Sequence, residues 1–319
     1  MKRTITFITI NYHCSSLIQE LIASLRSQGD DHIHCIVVDN SPHDPELTAL
    51  INSDDVTVLR SDSNRGFGGG CNLALEYLKT HDPLSIAWLI NPDARLLPGA
   101  VDSIRQSLKV VNPPAVLGTR IQDNNGQIWF DHGRFDRRWG KLNQEPTHRP
   151  PDFHHKDQTR FTACDWASGC SLILDLEKLP QPPHFDERIF LYYEDAELCI
   201  RLRQQGIQCF VTTDILVSHS ISSTTSRHQI QKFRHATFGK LYLLHRHATP
   251  WAVIANLTRF YAKAAIQCAR DPQQAIGRTM GIWQYLTWAL KNAMMIRHQA
   301  KARSAPAADR GSSAASPRT

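Results

Sequence analysis

The amino-acid sequence predicts an α/β fold with a mostly parallel central sheet, flanking helices and a helical extension at its carboxyl end. Strand-like and helix-like segments alternate up to about residue 120, which is typical of a parallel sheet. Four of the predicted strands run into polar loops at their carboxyl ends, where open α/β sheets bind ligands. From Gln229 onward the pattern becomes helical, with breaks near Pro250 and Pro272.

The first half contains four short apolar or β-branched runs that we predict to be strands, and two segments with helical periodicity. In chain order these are strand 4–10, helix 16–27, strands 35–38 and 56–59, helix 71–79 and strand 86–90. Residues 121–160 are rich in Asp, His, Pro and Arg, and we expect a long loop with short strands that covers the site. A strand at 171–174 and a helix at 194–205, ended by Gly206, follow.

Composition and charge exclude several classes of protein. Hydrophobic residues make up 41% and charged residues 21%, as in soluble globular proteins. From His245 to the end there are 11 Lys and Arg against 2 Asp and Glu, whereas residues 1–244 carry 25 and 28. A near-neutral body with a basic end argues against a nucleic-acid-binding body and favours an anionic partner for that end.

Cysteine usage and hydropathy favour an intracellular chain. The eight cysteines form no C-x-x-C pair and lie mostly in apolar stretches, which favours free thiols in a reducing cytosol over disulfides or a zinc site. No apolar stretch reaches 18 residues, so the sequence predicts no membrane-spanning helix. The apolar run near the amino terminus is cut short by Asn11 and lacks the cleavage site of a signal peptide.

A glycine-rich segment at residues 64–72 (NRGFGGGCN) lies between a predicted strand and a predicted helix. Backbone N–H groups in this position suit a phosphate cradle at a helix N-terminus. The G-x-G-x-x-G code would require glycine where the chain has Cys71, and the P-loop sequence Gly-Lys-Ser/Thr is absent. A tight loop that packs against the sheet explains the glycines equally well, so both interpretations stay open.

One carboxylate and one histidine follow predicted strands and could together bind a metal ion. Asp93 follows the predicted buried strand 86–90, so its carboxylate is expected at the ligand-binding edge, where it could hold Mg²⁺ or Mn²⁺ together with diphosphate oxygens. In isolation it could equally be a turn residue or a helix cap. His219 follows a predicted strand at 215–217 and is an ordinary surface histidine unless the fold brings it near Asp93.

Residues 185–201 mix acidic and aromatic side chains and lead into a helix. Acidic residues stabilise a helix N-terminus, which could account for Glu194 and Glu197. That explanation leaves the preceding pair Tyr192 and Tyr193 unexplained. A carboxylate beside aromatic rings has a raised pKa and suits a general base.

Six segments, taken in order, resemble glycosyltransferase family 2, particularly its rhamnosyltransferase-like members. They are residues 10–12 (INY), 38–41 (VDNS), 64–72 (NRGFGGGCN), 89–93 (LINPD), 166–169 (WASG) and 185–201 (FDERIFLYYEDAELCIR). Each segment is weak evidence alone, but six in the family's order over roughly residues 4–220 are specific. The resemblance implies a GT-A fold, in which one nucleotide-binding α/β domain carries the acceptor site.

The resemblance also implies roles for individual residues. Asp195 would be the catalytic base with Glu194 beside it, and Asp93 and His219 would hold Mg²⁺ or Mn²⁺. The nucleotide sugar would contact Asn11, Tyr12, Asp39, Asn64, Arg65, Gly66, Phe67, Asn72 and Asn91, the last of which replaces the first acid of the family's D-x-D motif. Trp166, Ser168 and Gly169 would border the sugar and the acceptor.

The implied activity is inverting, metal-dependent transfer of a sugar, with rhamnose from dTDP-rhamnose as the favoured donor. The acceptor would be a glycan or a lipid-linked glycan in bacterial cell-surface polysaccharide synthesis. Residues 1–228 would form the catalytic domain, with a nucleotide-sugar half up to about 120 and an acceptor half after it. Residues 229–299 would be helical and 300–319 disordered.

We expect a cytoplasmic protein without nucleic-acid partners. The basic carboxyl-terminal helices, with their Trp, Leu, Tyr and Met residues, could contact an anionic membrane surface at its inner face or pack on protein, including a second copy of the chain.

Two alternative functions compete with sugar transfer. A sugar nucleotidyltransferase would require a glycine-rich, basic loop after the first strand, where this chain has Asn11, Tyr12, His13 and Cys14. A non-catalytic carbohydrate- or nucleotide-binding protein would have no need of Asp93, Glu194 and Asp195.

Overall fold

A computed structural model describes residues 2–41, 44, 47, 53–110, 112–145, 160–220 and 229–304. Strands and helices alternate in the first half, as the sequence predicts. They are β1 (Ile5–Asn11), α1 (Ser15–Arg26), β2 (Ile33–Asp39), β3 (Val56–Arg60), α2 (Gly66–His81), β4 (Ile86–Ile90), β5 (Ala94–Leu96) and α3 (Ala100–Ser107). Every predicted element of this half is present within a few residues, except that α2 begins five residues earlier than predicted, at Gly66.

The second half contains more strands than its sequence suggests. It comprises β6 (Val116–Asp123), β7 (Ile128–Phe130), β8 (His132–Asp136), β9 (Lys141–Glu145), β10 (Phe161–Cys164), β11 (Ser171–Asp175), α4 (Glu194–Gln204) and β12 (Cys209–His219). The short strands expected within 121–160 are present as β7, β8 and β9, and β8 and β9 pair as an antiparallel hairpin that the sequence did not specify. Residues 146–159 of that segment lie outside the described residues.

The strands other than β8 and β9 form one sheet within the described residues, in the order β10-β12-β6-β11-β4-β1-β2-β3, with β5 beside β12 and β7 beside β6. β1 pairs in parallel with β2 and β4, and β2 with β3, so the predicted parallel sheet is confirmed. β11 runs antiparallel between β4 and β6 and makes the sheet mixed.

Four neighbouring strands carry the centre of the core. All residues of β1, β4 and β11 are buried, as are the last five of β2. Trp88 of β4 stacks on Phe7 of β1, with ring centroids 4.9 Å apart, and its indole N–H donates to the Ser171 hydroxyl at 2.8 Å. Because β1, β2 and β4 are parallel, their carboxyl ends place Asn11, Asp39 and the segment after Ile90 at one edge of the sheet.

Three helices follow the sheet domain: α5 (Gln229–His247), α6 (Pro250–Arg270) and α7 (Pro272–Ser304). The predicted breaks near Pro250 and Pro272 are confirmed, since each proline begins a helix. Helix α7 continues past the predicted boundary at residue 299, because Ala and Lys at the following positions favour helix, and the rest of the predicted tail lies outside the described residues.

Two absences predicted from the sequence can be checked against the described residues. All eight cysteines lie within them and all are free thiols, six of them buried. None of the described helices combines the length and the apolar character that crossing a bilayer requires.

Candidate active site

The ends of β1 and β2 are joined by one buried carboxamide. Asn11 donates its two amide hydrogens to Asp39 and Asp44, each at 3.0 Å, and its oxygen accepts the Cys14 N–H at 3.0 Å. Asn11 is therefore used within the protein to shape the loop after β1, whereas we predicted a contact with the nucleotide. Tyr12, at the start of that loop, is 50% exposed and is free to stack on a planar ligand.

The glycine cluster belongs to helix α2 and is not a separate loop. Gly66 has a φ of +73°, and a Cβ there would lie 2.0 Å from the carbonyl oxygen of Phe190. A Cβ on Gly68 would lie 2.9 Å from that of Phe185. The glycines thus let the helix approach residues 185–190, which supports the packing interpretation.

The first N–H groups of α2 already have partners. Gly66 donates to the Asn64 side chain at 2.9 Å, and Phe67 donates to the Phe190 carbonyl at 3.2 Å. A phosphate cradle at this helix would lack these two donors, so the geometry does not favour the cradle hypothesis.

Two residues predicted to contact the donor instead hold the segment that leads to Asp195. Asn72 accepts the Phe185 N–H at 2.8 Å and donates to the Phe185 carbonyl at 3.0 Å and to Glu187 at 3.1 Å. Arg65 pairs with the same Glu187 at 2.9 Å. Glu187 was not among the predicted site residues, although it lies in the acidic stretch 185–201.

A strained turn precedes helix α4. Tyr192 and Tyr193 both have positive φ, at +69° and +75°, where side chains larger than glycine are uncommon. Gly239 of α5 lies against this turn, since a Cβ there would be 2.4 Å from the Tyr192 carbonyl oxygen. Such strain concentrates at functional sites, and here it sets the direction of the two carboxylates that follow.

The carboxylate of Asp195 is held by two backbone N–H groups. One oxygen accepts from Gly169 at 2.8 Å and the other from Ala196 at 2.7 Å. Burial raises the pKa of Asp195, and the two N–H groups offset only part of that rise. Phe67 and Gly169 pack beside it, because a Cβ on Gly169 would lie 3.0 Å from the Phe67 ring and 3.2 Å from the Asp195 Cβ.

Glu194 is enclosed more completely than its neighbour. Burial, and then the charge of Asp195, raise the pKa of Glu194. Its Oε2 and the Tyr192 hydroxyl are both buried without a hydrogen-bond partner in the described part of the chain. Asp195 is partly exposed, so the geometry favours Asp195 over Glu194 as the group that meets a substrate.

Glu197 ties helix α4 to the end of helix α5. It is fully buried and bonds Arg201 at 3.0 Å and His247 at 3.2 Å. Burial alone would raise the pKa of Glu197, but the hydrogen bonds from His247 and Arg201 outweigh it and lower that pKa. The role of Glu197, uncertain from the sequence, is thus a structural one.

The fold brings His219 next to Asp93, and the sequence alone favoured a functional role for His219 only in that case. His219 is the last residue of β12, and β12 pairs with β5 so that His219 lies opposite Ala94. Its Nε2 lies 3.1 Å from an Asp93 oxygen, and its ring packs 4.4 Å from that of Trp129. No group of three or more His, Cys, Asp or Glu that could hold a metal is found among the described residues. A metal bound by this pair would therefore draw its other ligands from substrate or water.

The predicted acceptor segment lies beside the end of β4. The Asn91 N–H donates to the Cys170 carbonyl at 3.0 Å, and the Ser168 hydroxyl accepts the Cys170 N–H at 3.2 Å. Ser168 and Gly169 therefore lie near Asn91 and Asp195, and their contact with the sugar and the acceptor stays a prediction. Trp166 differs, because its ring is buried against Gly133 and forms part of the core.

The profile of one family, described as glycosyl transferase family 2, matches residues 6–172, which is just over half of the chain. The chain belongs to glycosyltransferase family 2. This assignment confirms the predicted class of enzyme over the nucleotidyltransferase and the non-catalytic alternative. All segments of the site that precede Cys170, including Asp93 and Gly169, lie within the matched residues.

Two relatives of this family 2 enzyme have described activities. Over 272 residues it is 22% identical to N-acetylglucosaminyl-diphospho-decaprenol L-rhamnosyltransferase of Mycobacterium tuberculosis, covering 79% of this chain and 87% of the relative. Over 222 residues it is 25% identical to the low-salt glycan biosynthesis hexosyltransferase Agl10 of Haloferax volcanii, covering 67% of each chain.

Solved structures share the fold of the family 2 enzyme at low identity. The 1–349 portion of Staphylococcus aureus TarS in complex with UDP-GlcNAc superposes with a TM-score of 0.50 and 14% identity, covering 88% of this chain and 89% of that one. GalNAc-T7 with UDP, GalNAc and Mn²⁺ gives a TM-score of 0.54 and 12% identity over 68% of this chain. This match covers 44% of the GalNAc-T7 chain, so the present chain spans less than half of it.

Proposed function

We propose that this family 2 glycosyltransferase moves a sugar from a nucleotide donor to an acceptor hydroxyl in one displacement that inverts the anomeric centre. The observation that carries the proposal is the Asp195 carboxylate, held between Gly169 and Ala196 with a pKa raised by burial. A carboxylate whose pKa is raised is a stronger base than one in water, which suits it to accept a proton. Each of its oxygens keeps a lone pair for a substrate proton.

Asp195 accepts the proton of the acceptor hydroxyl as that oxygen bonds to the anomeric carbon. The bond from the anomeric carbon to the diphosphate breaks on the opposite face, and the nucleoside diphosphate leaves with the electron pair. One carboxylate suffices for this step, and no covalent nucleophile is required.

The donor would lie along the carboxyl edge of β1, β2 and β4. Tyr12 offers an exposed ring for the base, and Asp39 lies at the end of the neighbouring strand for the ribose. Rhamnose from dTDP-rhamnose is the proposed donor sugar, supported by the L-rhamnosyltransferase relative. Asn11 is proposed to position the loop that carries Tyr12. Arg65, Gly66 and Asn72 are proposed to position the segment that leads to Asp195.

A divalent metal fits Asp93 and His219. His219 Nε2 and an Asp93 oxygen lie 3.1 Å apart, and imidazole and carboxylate are both groups that would hold such an ion. Mn²⁺ accompanies UDP in the GalNAc-T7 structure that shares this fold. When bound, Mg²⁺ or Mn²⁺ would neutralise charge on the departing diphosphate. Trp129 packs on the His219 ring and keeps it directed at Asp93.

The acceptor is proposed to be a glycan or lipid-linked glycan in cell-surface polysaccharide synthesis, presented at the inner face of the membrane. The name of the M. tuberculosis relative, which includes a diphospho-decaprenol acceptor, supports a lipid carrier. The basic helices α6 and α7 would then lie towards that surface.

A donor panel tests the proposal. Binding of dTDP-rhamnose, UDP-GlcNAc and GDP-mannose is measured by calorimetry with Mn²⁺ and again with EDTA. We expect one donor to bind with metal, and both EDTA and Asp93→Ala to weaken binding at least about tenfold. Asp102→Ala, which removes an exposed carboxylate on α3, is the matched control and should leave binding unchanged. If the donor binds equally well with EDTA and in Asp93→Ala, the metal site is wrong.

A further inference from the structure

A pocket with basic walls lies between helices α5 and α7. It has a volume of about 460 Å³ and is lined by Arg188, His245, Arg246, Trp288, Lys291, Asn292 and Met295; we call it the basic pocket. Its aromatic side is rigid, because Trp288 packs edge-on against His245 at 4.9 Å and the Tyr285 hydroxyl bonds the His245 ring at 3.0 Å. None of the catalytic or metal-binding groups considered above lines it.

The charge of the basic pocket is only partly compensated. Arg188 pairs with Asp186 at 3.3 Å, while Arg246 and Lys291 make no ion pair with any residue that the structure describes. Burial, and then the charge of Arg246, lower the pKa of His245, so the positive charge of the pocket is assigned to Arg246 and Lys291 and not to the imidazole. The pocket therefore offers a net positive charge to an anion, with arginine and lysine geometry that suits phosphate oxygens.

An exposed apolar stripe on α7 lies beside the basic pocket. Ile276, Met280, Trp283, Leu290 and Met294 recur at helical spacing and define this stripe. Trp283 and Leu290 are 63% and 62% exposed, which is unusual for large apolar side chains that recur on one face. Lys291 and Met295 of the pocket directly follow Leu290 and Met294 of the stripe, so the two features adjoin along the helix.

The stripe extends into a groove between α6 and α7. The groove has a volume of about 750 Å³, and its walls include Tyr261 of α6 together with Ile276, Met280 and Trp283. Apolar side chains from two helices thus form one surface, bordered at its carboxyl end by the basic pocket.

We infer that this surface binds an anionic lipid, with the lipid phosphate in the basic pocket and acyl chains along the apolar stripe. A free phosphate would use the pocket but not the stripe, and a neutral apolar partner would use the stripe but not the pocket. Residues 245–304 contain nine Lys and Arg and a single acid, Asp271, which complements an anionic bilayer. A second copy of the chain would bring the same positive charge to the surface and be repelled.

Vesicle flotation tests this inference with the full chain. Wild-type protein should bind vesicles that contain phosphatidylglycerol and should not bind phosphatidylcholine vesicles. Each basic group near the surface contributes about fivefold to binding, so Arg246→Gln with Lys291→Gln should weaken it roughly thirtyfold. The matched control, Arg60→Gln with Lys109→Gln, removes the same charge from exposed positions of the sheet domain and should change binding less than about twofold.

Two further experiments distinguish a lipid ligand from other anions and from a protein partner. Inorganic phosphate should displace the protein from vesicles more effectively than chloride at equal ionic strength, because the pocket recognises phosphate itself. Leu290→Ser with Met294→Ser should weaken flotation without affecting this competition. If the pocket and control variants lost vesicle binding equally, or if phosphate and chloride displaced the protein equally, the protein would be held by diffuse electrostatic attraction to the vesicle. Either result would overturn the pocket assignment.

Light scattering measures the oligomeric state and tests whether a second copy of the chain binds this surface. A dimer that the stripe substitutions dissociate, combined with no vesicle binding, would identify a second copy as the partner and overturn the inference. The inference rests on the proposed membrane-facing acceptor, yet flotation requires no sugar transfer. Donor binding with failed flotation would therefore refute the lipid surface alone, and flotation without donor binding would refute the proposed function alone.

Discussion

Asn72→Ala separates a structural role of Asn72 from a role in donor binding. Two buried hydrogen bonds, at 2.8 and 3.0 Å, tie the Asn72 side chain to the backbone of Phe185. Each buried backbone group left without a partner costs about 1–3 kcal/mol, and a water molecule in the vacated space recovers part of that cost. We therefore expect the free energy of unfolding to fall by about 2–4 kcal/mol.

Urea unfolding followed by tryptophan fluorescence measures this loss, and calorimetry measures nucleotide affinity in the same variant. The control is Asn64→Ala, which removes one partly buried bond to the Gly66 N–H at 2.9 Å and should cost about 1 kcal/mol. Nucleotide affinity of folded Asn72→Ala should stay close to that of the wild type. A free energy of unfolding within about 0.5 kcal/mol of the wild type, together with weakened nucleotide binding, would refute the structural role and restore the predicted donor contact.

Two further predictions concern the carboxylates of α4 and their neighbours. Because burial and the charge of Asp195 raise the pKa of Glu194, its ionised form destabilises the fold, and wild-type stability falls as the pH rises through that raised pKa. Glu194→Gln cannot ionise, so its melting temperature should exceed that of the wild type by a margin that grows from about pH 5 up to the raised pKa of about 8; a constant margin over this range would contradict the assignment. Gly169→Ala would place a Cβ 3.0 Å from the Phe67 ring and 3.2 Å from the Asp195 Cβ. The resulting displacement of the base should lower kcat roughly tenfold to a hundredfold, and an unchanged kcat would show that this packing does not position Asp195.

Local signals in the sequence were sufficient for most of the fold. Strand β4 and residues 5–10 of β1 are uninterrupted apolar or β-branched runs, and Pro250 and Pro272 interrupt the helical pattern, because proline fits the first turn of a helix but not its interior. The positions of β8 and β9 could not be predicted because strands such as HGRFD are mostly polar and lack the hydrophobic alternation that identifies a strand.

Candidate site residues could be predicted where a reactive side chain directly follows a recognisable strand or loop. Asp93 and Asp195 each follow a recognisable strand or loop, so their positions could be predicted, while their roles stay predictions. The role of Asn72 was missed because its partner Phe185 lies 113 residues away, and nothing local to Asn72 indicates that contact. The sequence indicated that His219 would have a role only if it lay near Asp93. It could not show that the two residues meet, because the pairing of β12 with β5 brings His219 to Asp93.

The central claim, that Asp195 is the base for sugar transfer, is tested most directly by Asp195→Asn. The amide oxygen can still accept one of the N–H groups of Gly169 and Ala196, so the variant should fold and bind the nucleotide. Single-turnover transfer from the donor identified in the panel should fall about 100-fold or more, as expected for loss of a general base. Asp102→Asn, on the exposed face of α3, should transfer sugar at the wild-type rate. Near-normal transfer by Asp195→Asn would contradict the assignment of the base.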